Sequence, residues 1–417
     1  MGERKADMRA GLYCWAGPGT LRMTALKFFS APVERESVMR SYDADVLART
    51  KDLLGLTDAW VTYSWGFPKA VEREDEEFLR SKLGNFRRLG IRTHAYVQGM
   101  NLVREGAAAD YWCRDARGRP IPYHRGRSLC CPNNPAFRAY LLSRVEDACR
   151  EEVDGVFVDN FHLGQFPVPA GGAVTSFGCH CAYCRASFGE EIPRGGAVDD
   201  DRVRAYIDFR AESMHALSRD LRQVADRHGK MLGVNGLDID LDARLFYGYD
   251  VRRLAAVHDY LLVENFNHPS EGRTNAHLAP LARALPVPLV IVSYRRAIGR
   301  HPRLRQEDLD GVFSDAAAAG FVPCYKGSEF TTGGTWHNLD PSALRAPSIR
   351  PLPAPKPPRG SSLPRALLPM LDRVYPPFVR AVHESRVVRW LAGWIVDGLM
   401  ESAARLRPQA PAAAGAA

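Results

Sequence analysis

The chain has 417 residues, of which 46% are hydrophobic and 10% aromatic, so it can bury a large core and is neither disordered nor fibrous. Its 56 Lys and Arg residues exceed its 48 Asp and Glu residues, which gives a formal net charge of +8. No stretch of about 18 uncharged apolar residues predicts a transmembrane helix, and the N-terminal segment lacks the apolar core of a secretory signal, so we expect a cytoplasmic protein.

Eight short apolar runs recur along the chain and predict eight β-strands. The runs are continuous rather than alternating, which is typical of parallel strands that are covered on both faces. In chain order they are Gly11–Trp15, Ala59–Ser64, Arg92–Val97, Gly155–Asp159, Met231–Asn235, Tyr260–Glu264, Pro288–Ser293 and Phe321–Tyr325.

Helical patterns lie between these strands. Ala136–Cys149 follows Asn134 and Pro135, which supply an N-cap and a first-turn proline. Arg202–His228 carries one apolar stripe, and Gln306–Ala319 ends just before the eighth strand. This alternation predicts an α/β fold, a (β/α)8 TIM barrel with enlarged βα loops. A doubly wound open sheet is the alternative, although no glycine fingerprint for dinucleotide phosphates follows the first strand.

The barrel is assigned to residues 1–340, with a cysteine-rich insertion around 165–195. We expect a Pro-rich linker at 341–365, a helical basic tail at 366–406 and a disordered end at 407–417. Seven of the eight net positive charges lie after residue 340, so we expect no nucleic-acid binding by the barrel. The tail helix packs on the barrel or makes a weak contact with a membrane or a protein.

Functional groups of such barrels project from the C-terminal ends of the strands, and here those ends combine carboxylates, amides and aromatic rings. This mixture suits a carbohydrate, because polar groups bond its hydroxyls while aromatic faces cover its apolar side. The predicted substrate-binding residues are Tyr63, Trp65, Tyr96, Asn101, Asn160, His162, Asn235, His268, Tyr294 and Lys326.

Two acids stand at strand ends, Asp159 after the fourth strand and Glu264 after the sixth. Hydrolysis of a glycosidic bond needs two carboxyl groups that face each other across that bond. A separation of about 5–5.5 Å predicts retention of configuration and about 6.5–9.5 Å predicts inversion. We therefore predict Asp159 and Glu264 as the catalytic pair; the alternative is a salt bridge for each at the barrel mouth.

Nine cysteines on a long chain without a signal sequence argue against a disulfide framework. Cys179, Cys181 and Cys184 lie within six residues, and Cys130 and Cys131 lie about fifty residues upstream. Four thiolates close a tetrahedral structural zinc site and leave no open position for water. Reduced, unligated thiols are one alternative, and an iron–sulfur cluster is another.

The stretch Cys131–Arg138 (CPNNPAFR), followed by Val158-Asp159-Asn160 and the C-x-C-x-x-C ahead of Phe188, resembles the central part of family-42 β-galactosidases. That resemblance implies zinc ligands at Cys131, Cys179, Cys181 and Cys184, with Cys130 outside the site. It breaks at Phe161, where family 42 has the acid/base glutamate, which argues against the family-42 mechanism.

The segment Asp154–Asn160 (DGVFVDN) is similar to barrel proteins known as hypothetical glycosyl hydrolases. In α-galactosidase-like and α-fucosidase-like barrels, the acid of the fourth strand is the nucleophile, which implies that role for Asp159 and the acid/base role for Glu264. The leading hypothesis is therefore a glycosidase-like enzyme that cleaves or transfers a glycosidic bond of a carbohydrate substrate. The alternatives are a non-catalytic carbohydrate-binding or assembly protein and an iron–sulfur oxidoreductase.

Overall fold

The computed structural model describes residues 8–14, 16–28, 35–107, 110–123, 126–170, 172–175, 177–237, 239, 242–264, 274–292, 306–330, 336–352 and 370. His268 and Tyr294 lie outside these residues, and so do the disordered end and all of the predicted helical tail except Met370.

Eight parallel strands form a closed barrel in chain order, because β1 pairs with both β2 and β8. This closure confirms the (β/α)8 TIM barrel and excludes the open sheet. Each strand coincides with one of the eight apolar runs to within one or two residues. The strands are β1 Gly11–Cys14, β2 Asp58–Ser64, β3 Arg92–Gln98, β4 Gly155–Asp159, β5 Met231–Asn235, β6 Tyr260–Val263, β7 Leu289–Val292 and β8 Val322–Lys326.

Helices cover the outside of the barrel. The Asn134 side chain accepts bonds from the backbone N–H groups of Ala136 and Phe137, and Pro135 is the first helical residue of α5, as predicted. None of the described helices is both long and apolar enough to cross a membrane. The helices are α1 Pro18–Phe28, α2 Arg35–Met39, α3 Ala44–Leu54, α4 Lys69–Arg88, α5 Pro135–Cys149, α6 Ala182–Phe188, α7 Asp201–Arg227, α8 Ala243–Phe246, α9 Val251–Ala255, α10 Ala279–Ala284 and α11 Gln306–Ala319.

The loops after β3, β4 and β8 are enlarged and contain short antiparallel strands, so the predicted enlargement of the βα loops is confirmed. All of these strands lie on the face where the barrel strands end. They pair as Asn101–Val103 with Arg127–Leu129, as Val168–Ala170, Ala173–Thr175 and Gly195–Ala197, and as Ser328–Phe330 with Trp336–Asn338.

Aromatic side chains fill the barrel interior. Trp60 stacks on His94 with ring centroids 5.4 Å apart and donates a hydrogen bond of 3.0 Å to the Tyr260 hydroxyl. Phe157 packs edge-on against Trp60 at 6.4 Å. These buried rings make the lower barrel a packed core rather than a channel, so a ligand finds room at the C-terminal mouth.

The chain continues along α11 after the last barrel strand. The backbone N–H groups of Arg345 and Ser348 donate to Gln306 Oε1 at 2.8 Å and Asp310 Oδ1 at 2.9 Å. The Arg350 guanidinium also pairs with Asp310 at 3.0 Å. The first part of the predicted 341–365 linker is therefore docked on the barrel, because these backbone groups find partners on the helix.

Candidate active site

Asp159 is the last residue of β4 and lies at the centre of the barrel mouth. Its Oδ2 accepts a bond of 2.5 Å from the Tyr96 hydroxyl on β3 and a second bond from the Asn160 amide. Its Oδ1 accepts a bond of 2.5 Å from the Asn235 amide on β5. Both neighbouring strands thus contribute a donor, and the carboxylate is held in one orientation.

The protonation of Asp159 is set by opposing effects. Burial raises the pKa of this carboxyl above its usual range, because a buried charge loses its hydration. Hydrogen bonds from Tyr96 and Asn235, and the positive charge of Lys326 at the end of β8, act in the opposite direction. Asp159 is therefore a carboxyl whose charge depends on these neighbours.

Asn235 connects the two predicted catalytic acids. Its amide nitrogen lies 2.5 Å from Asp159 Oδ1 and 3.1 Å from Glu264 Oε1. An amide nitrogen carries two hydrogens, so one goes to each carboxylate. Because both bonds end on the same nitrogen, these two carboxylate oxygens are separated by at most the sum of the two distances.

Leu237 fixes the orientation of the Asn235 amide. Its backbone N–H donates to Asn235 Oδ1 at 2.7 Å, which leaves the amide NH2 facing the acids. Its carbonyl accepts the N–H of Glu264 at 2.8 Å. Leu237 has φ of +49°, a left-handed conformation that is strained for leucine. In this conformation its two backbone hydrogen bonds connect the ends of β5 and β6.

Asn160 also adopts a left-handed conformation, with φ of +52°, which asparagine tolerates better than most residues. Its side-chain oxygen accepts a bond from the Tyr123 hydroxyl. Tyr123 comes from the loop after β3 and was not predicted from the sequence. No strand end marks its position, so its convergence on the site follows only from the loop geometry.

The other predicted residues near the mouth are Trp65, Asn101 and Lys326. Trp65 stacks on Tyr96 with centroids 4.6 Å apart. Asn101 accepts a bond of 2.7 Å from the buried guanidinium of Arg127. The Lys326 ammonium lies 5.8 Å from the ring centroid of Tyr13. Asn101 is fully buried, and the contact of all three side chains with a substrate stays a prediction.

Tyr63 does not face the mouth, contrary to expectation. It is 1% exposed, and the Arg144 guanidinium of α5 lies 5.5 Å from its ring centroid. Side chains alternate along a strand, and since Trp60 and Thr62 face inward, Tyr63 faces the helices. His162 is also fully buried, with its ring against Phe166 at 4.7 Å, and burial lowers its pKa to about 3.

A candidate metal centre

The four cysteines named by the family resemblance converge, and their sulfur atoms lie within 4.8 Å of one another in a buried group. Cys131 Sγ is 3.4 Å from Cys184 Sγ and 3.5 Å from Cys181 Sγ. A tetrahedron with metal–sulfur bonds of ~2.3 Å has edges of about 3.8 Å, close to these separations. Cys131, Cys179, Cys181 and Cys184 therefore fit a metal ion, and Cys130 stands outside the group.

Neutral and positive donors surround these thiols. Asn133 Nδ2 donates to Cys184 Sγ at 3.4 Å. The buried Arg210 donates to the carbonyl oxygens of Leu245 at 2.9 Å and Leu163 at 2.8 Å. Burial lowers the pKa of Arg210, and the nearby thiols oppose that shift. A divalent metal with four thiolates carries a net charge of about −2, which such a guanidinium offsets.

Comparison with known proteins

No known family profile matches the sequence, and no curated protein matches it either. Solved structures similar to this chain include a fucosidase and two galactosidases. α-L-Fucosidase isoenzyme 2 from Paenibacillus thiaminolyticus superposes with a TM-score of 0.51 at 14% identity, over 81% of this chain and 47% of the fucosidase.

Two galactosidases superpose less well. β-Galactosidase from the psychrophilic Marinomonas ef1 gives a TM-score of 0.49 at 12% identity, over 67% of this chain and 50% of the enzyme. α-Galactosidase from Thermus thermophilus, in complex with stachyose, gives a TM-score of 0.44 at 12% identity, over 82% of this chain and 64% of the enzyme. The chain thus spans about half the length of the first two structures. At 14% identity, the similarity to the fucosidase shows the barrel fold alone.

Proposed function

We propose that the chain is a retaining glycoside hydrolase in which Asp159 is the nucleophile and Glu264 the acid/base. The observation that carries this proposal is the Asn235 amide that binds both acids, at 2.5 and 3.1 Å. The sum of these distances is the largest possible separation of the two oxygens, and it lies below the ~6.5 Å lower limit of inverting enzymes, which favours the retaining class.

In the first step, a carboxylate oxygen of Asp159 bonds to the anomeric carbon while the bond from that carbon to the leaving oxygen breaks. Glu264 gives its proton to the leaving oxygen. In the second step, water attacks the same carbon, Glu264 takes a proton from the water, and Asp159 leaves as a carboxylate. The donors on Asp159 favour its ionised form before the attack and after the release.

The test uses a panel of aryl glycosides and the variants Asp159→Asn and Glu264→Gln. We expect Asp159→Asn to abolish turnover and Glu264→Gln to reduce it by about 10²- to 10⁴-fold, with a smaller loss on substrates whose leaving group needs no proton. Asp154→Asn, one residue before the start of the same strand, is the matched control. Turnover by Asp159→Asn at the wild-type rate would remove the proposal.

The stereochemical result tests the retaining assignment separately. Proton NMR of the first product formed should show the anomeric configuration of the substrate, because two inversions at one carbon restore it. An inverted first product would mean that Asp159 activates a water molecule instead of bonding to the anomeric carbon, while Glu264 still gives its proton to the leaving oxygen.

A second candidate function is carbohydrate binding without catalysis. Asp159 accepts bonds from three side chains of the protein itself, Tyr96, Asn160 and Asn235, as a purely structural carboxylate does. Saturable binding of a glycoside in calorimetry, with no product after prolonged incubation, is the result expected for this alternative.

For the four-cysteine group we propose a structural zinc ion. All-thiolate tetrahedral coordination favours zinc and leaves no position for water, so zinc here stabilises the loop and takes no part in hydrolysis. Metal analysis should find about one zinc per chain and no visible absorbance; an iron–sulfur cluster would absorb in the visible range. The cytoplasmic location and the contact of the basic tail with a membrane or a protein stay predictions from the sequence.

A further inference from the structure

Gln98 is a buried polar residue next to Asp159 that the predicted site does not include. It is the last residue of β3, it is 4% exposed, and it pairs in register with Asp159 on β4. Tyr96 lies two residues earlier, so both side chains point to the same side of the strand. The Gln98 carboxamide is therefore placed above Tyr96 at the barrel mouth.

The Tyr96 hydroxyl has one hydrogen but two acceptors within bonding distance. Its oxygen lies 2.5 Å from Asp159 Oδ2 and 3.0 Å from Gln98 Oε1. A phenol donates only one hydrogen bond at a time, and an ionised carboxylate is a stronger acceptor than an amide oxygen. When Asp159 is ionised, the hydrogen therefore goes to Asp159.

Gln98 then turns its NH2 group toward the lone pairs of the Tyr96 oxygen, since two oxygens without a hydrogen between them repel. The two ends of a carboxamide have the same shape and exchange by a half-turn of the last side-chain bond. This arrangement gives a chain of donors from Gln98 to Tyr96 to Asp159, and it leaves Gln98 Oε1 facing away from Tyr96.

One end of the Gln98 carboxamide lacks a partner in either orientation. As the structure stands, Gln98 Nε2 is buried and has no hydrogen-bond partner among the described residues. Buried polar atoms are almost always paired, and the exceptions point to a missing water or ligand. Here the unpaired atom belongs to the register partner of Asp159, the residue that we propose as the nucleophile.

We propose that Gln98 binds the substrate hydroxyl on the carbon next to the anomeric centre, accepting that hydrogen bond through Oε1 when Asp159 is ionised. The inference rests on the proposed function, because it takes Asp159 as the group that bonds to the anomeric carbon. The sugar hydroxyl closest to that carbon is the 2-hydroxyl, whose hydrogen bonds strengthen in the transition state of glycoside hydrolysis.

The experiment compares wild type and Gln98→Leu on a cognate aryl glycoside and on its 2-deoxy analogue. Loss of the 2-hydroxyl should lower kcat/KM of the wild type by about 10- to 100-fold beyond the intrinsic difference in reactivity, and Gln98→Leu should cause a similar loss on the parent substrate. The two losses should not add, because each change removes the same bond.

Gln98→Asn, which withdraws the carboxamide by one methylene group, keeps the site polar and provides a second variant. Gln223→Leu, on the exposed face of α7, is the control and should match the wild type on both substrates. Thermal unfolding of each variant separates a loss of binding from a loss of structure.

The inference would be overturned if the losses of kcat/KM caused by Gln98→Leu and by removal of the 2-hydroxyl were additive. A change in kcat/KM of less than about twofold in Gln98→Leu would also overturn it. If Asp159→Asn is inactive while the losses are independent, only the role of Gln98 fails. If Asp159→Asn keeps its turnover, the proposed function itself fails. The two results are therefore distinguishable.

Discussion

Three side chains hold the Asp159 carboxylate, and each one comes from a different position in the chain. Tyr96 precedes Asp159 by 63 residues and Asn235 follows it by 76, whereas Asn160 is adjacent. Each bond stabilises the ionised form, while burial disfavours it. Removal of a single donor should therefore change the acidity of Asp159 without exposing it to water.

Tyr96→Phe is the direct test at this scale. It removes a bond that lowers the pKa of Asp159, so that pKa should rise. A nucleophile must be ionised, and the acidic limb of the pH–rate profile should therefore move to higher pH, with activity lost first at the acid end. Tyr260→Phe is the control, because Tyr260 is an equally buried barrel tyrosine that bonds Trp60 instead. An unchanged acidic limb in Tyr96→Phe would contradict this account.

Leu237 allows a test of backbone conformation. Leu237→Asn should keep the left-handed conformation and near wild-type activity, because asparagine tolerates positive φ. Leu237→Val places a β-branched side chain there, which should release the Asn235 amide and lower kcat by about tenfold. Steady-state kinetics of the two variants, with their melting temperatures, provides the comparison. Equal activity in both variants would show that the Asn235 orientation does not depend on Leu237.

At the scale of elements, the four-cysteine group joins two loops at the barrel mouth. Cys131 precedes α5, whereas Cys179, Cys181 and Cys184 belong to the loop after β4 that begins at Asn160. The backbone N–H of Cys179 also donates to the Tyr206 hydroxyl of α7 at 2.8 Å. A metal ion at this point would fix the loop that positions Asn160 beside Asp159.

Cys184→Ser should lower zinc content and reduce the melting temperature by about 5 °C or more, because it removes one of four ligands from a buried site. Cys130→Ser is the matched control: Cys130 is equally buried but lies outside the group. Metal analysis and calorimetry of both variants are the measurements. Equal zinc and equal melting temperatures in the two variants would exclude the metal centre.

The barrel could be predicted because continuous apolar runs such as GVFVD and YLLV mark strands that are buried on both faces. The strand-end acids Asp159 and Glu264 follow from the same pattern. Successive side chains of a strand point alternately into the barrel and toward the helices. An error of one residue therefore reverses the predicted direction, as it did for Tyr63. The links through Leu237 and Tyr123 depend on loop conformations, for which no local sequence pattern exists.

At the scale of the whole molecule, the closed barrel and its docked segment form one unit up to Arg350. Hydrogen bonds connect Arg345, Ser348 and Arg350 to α11, whose other face covers the barrel. These contacts are made by the first residues of the predicted linker, and the domain boundary at residue 340 stays a prediction. Proline content predicts extended chain, and an extended chain can dock on a helix as well as span solvent.

Two truncations test this boundary. A chain that ends at residue 352 should keep the melting temperature and the far-UV circular dichroism of the barrel, because the contacts with α11 remain. A chain that ends at residue 340 should melt at a lower temperature, since Gln306 and Asp310 lose their partners. If both truncated chains melt at the same temperature, the docked segment contributes no stability.

The aromatic packing of Trp60, His94, Phe157 and Tyr260 determines from which side a molecule can reach Asp159. Among the described residues, this packing closes the barrel below Asp159, so the proposed substrate would enter and leave on the side where the strands end. If the proposed hydrolysis takes place, the sugar product and the substrate occupy the same site below the mouth, and added sugar product should raise the KM for the substrate.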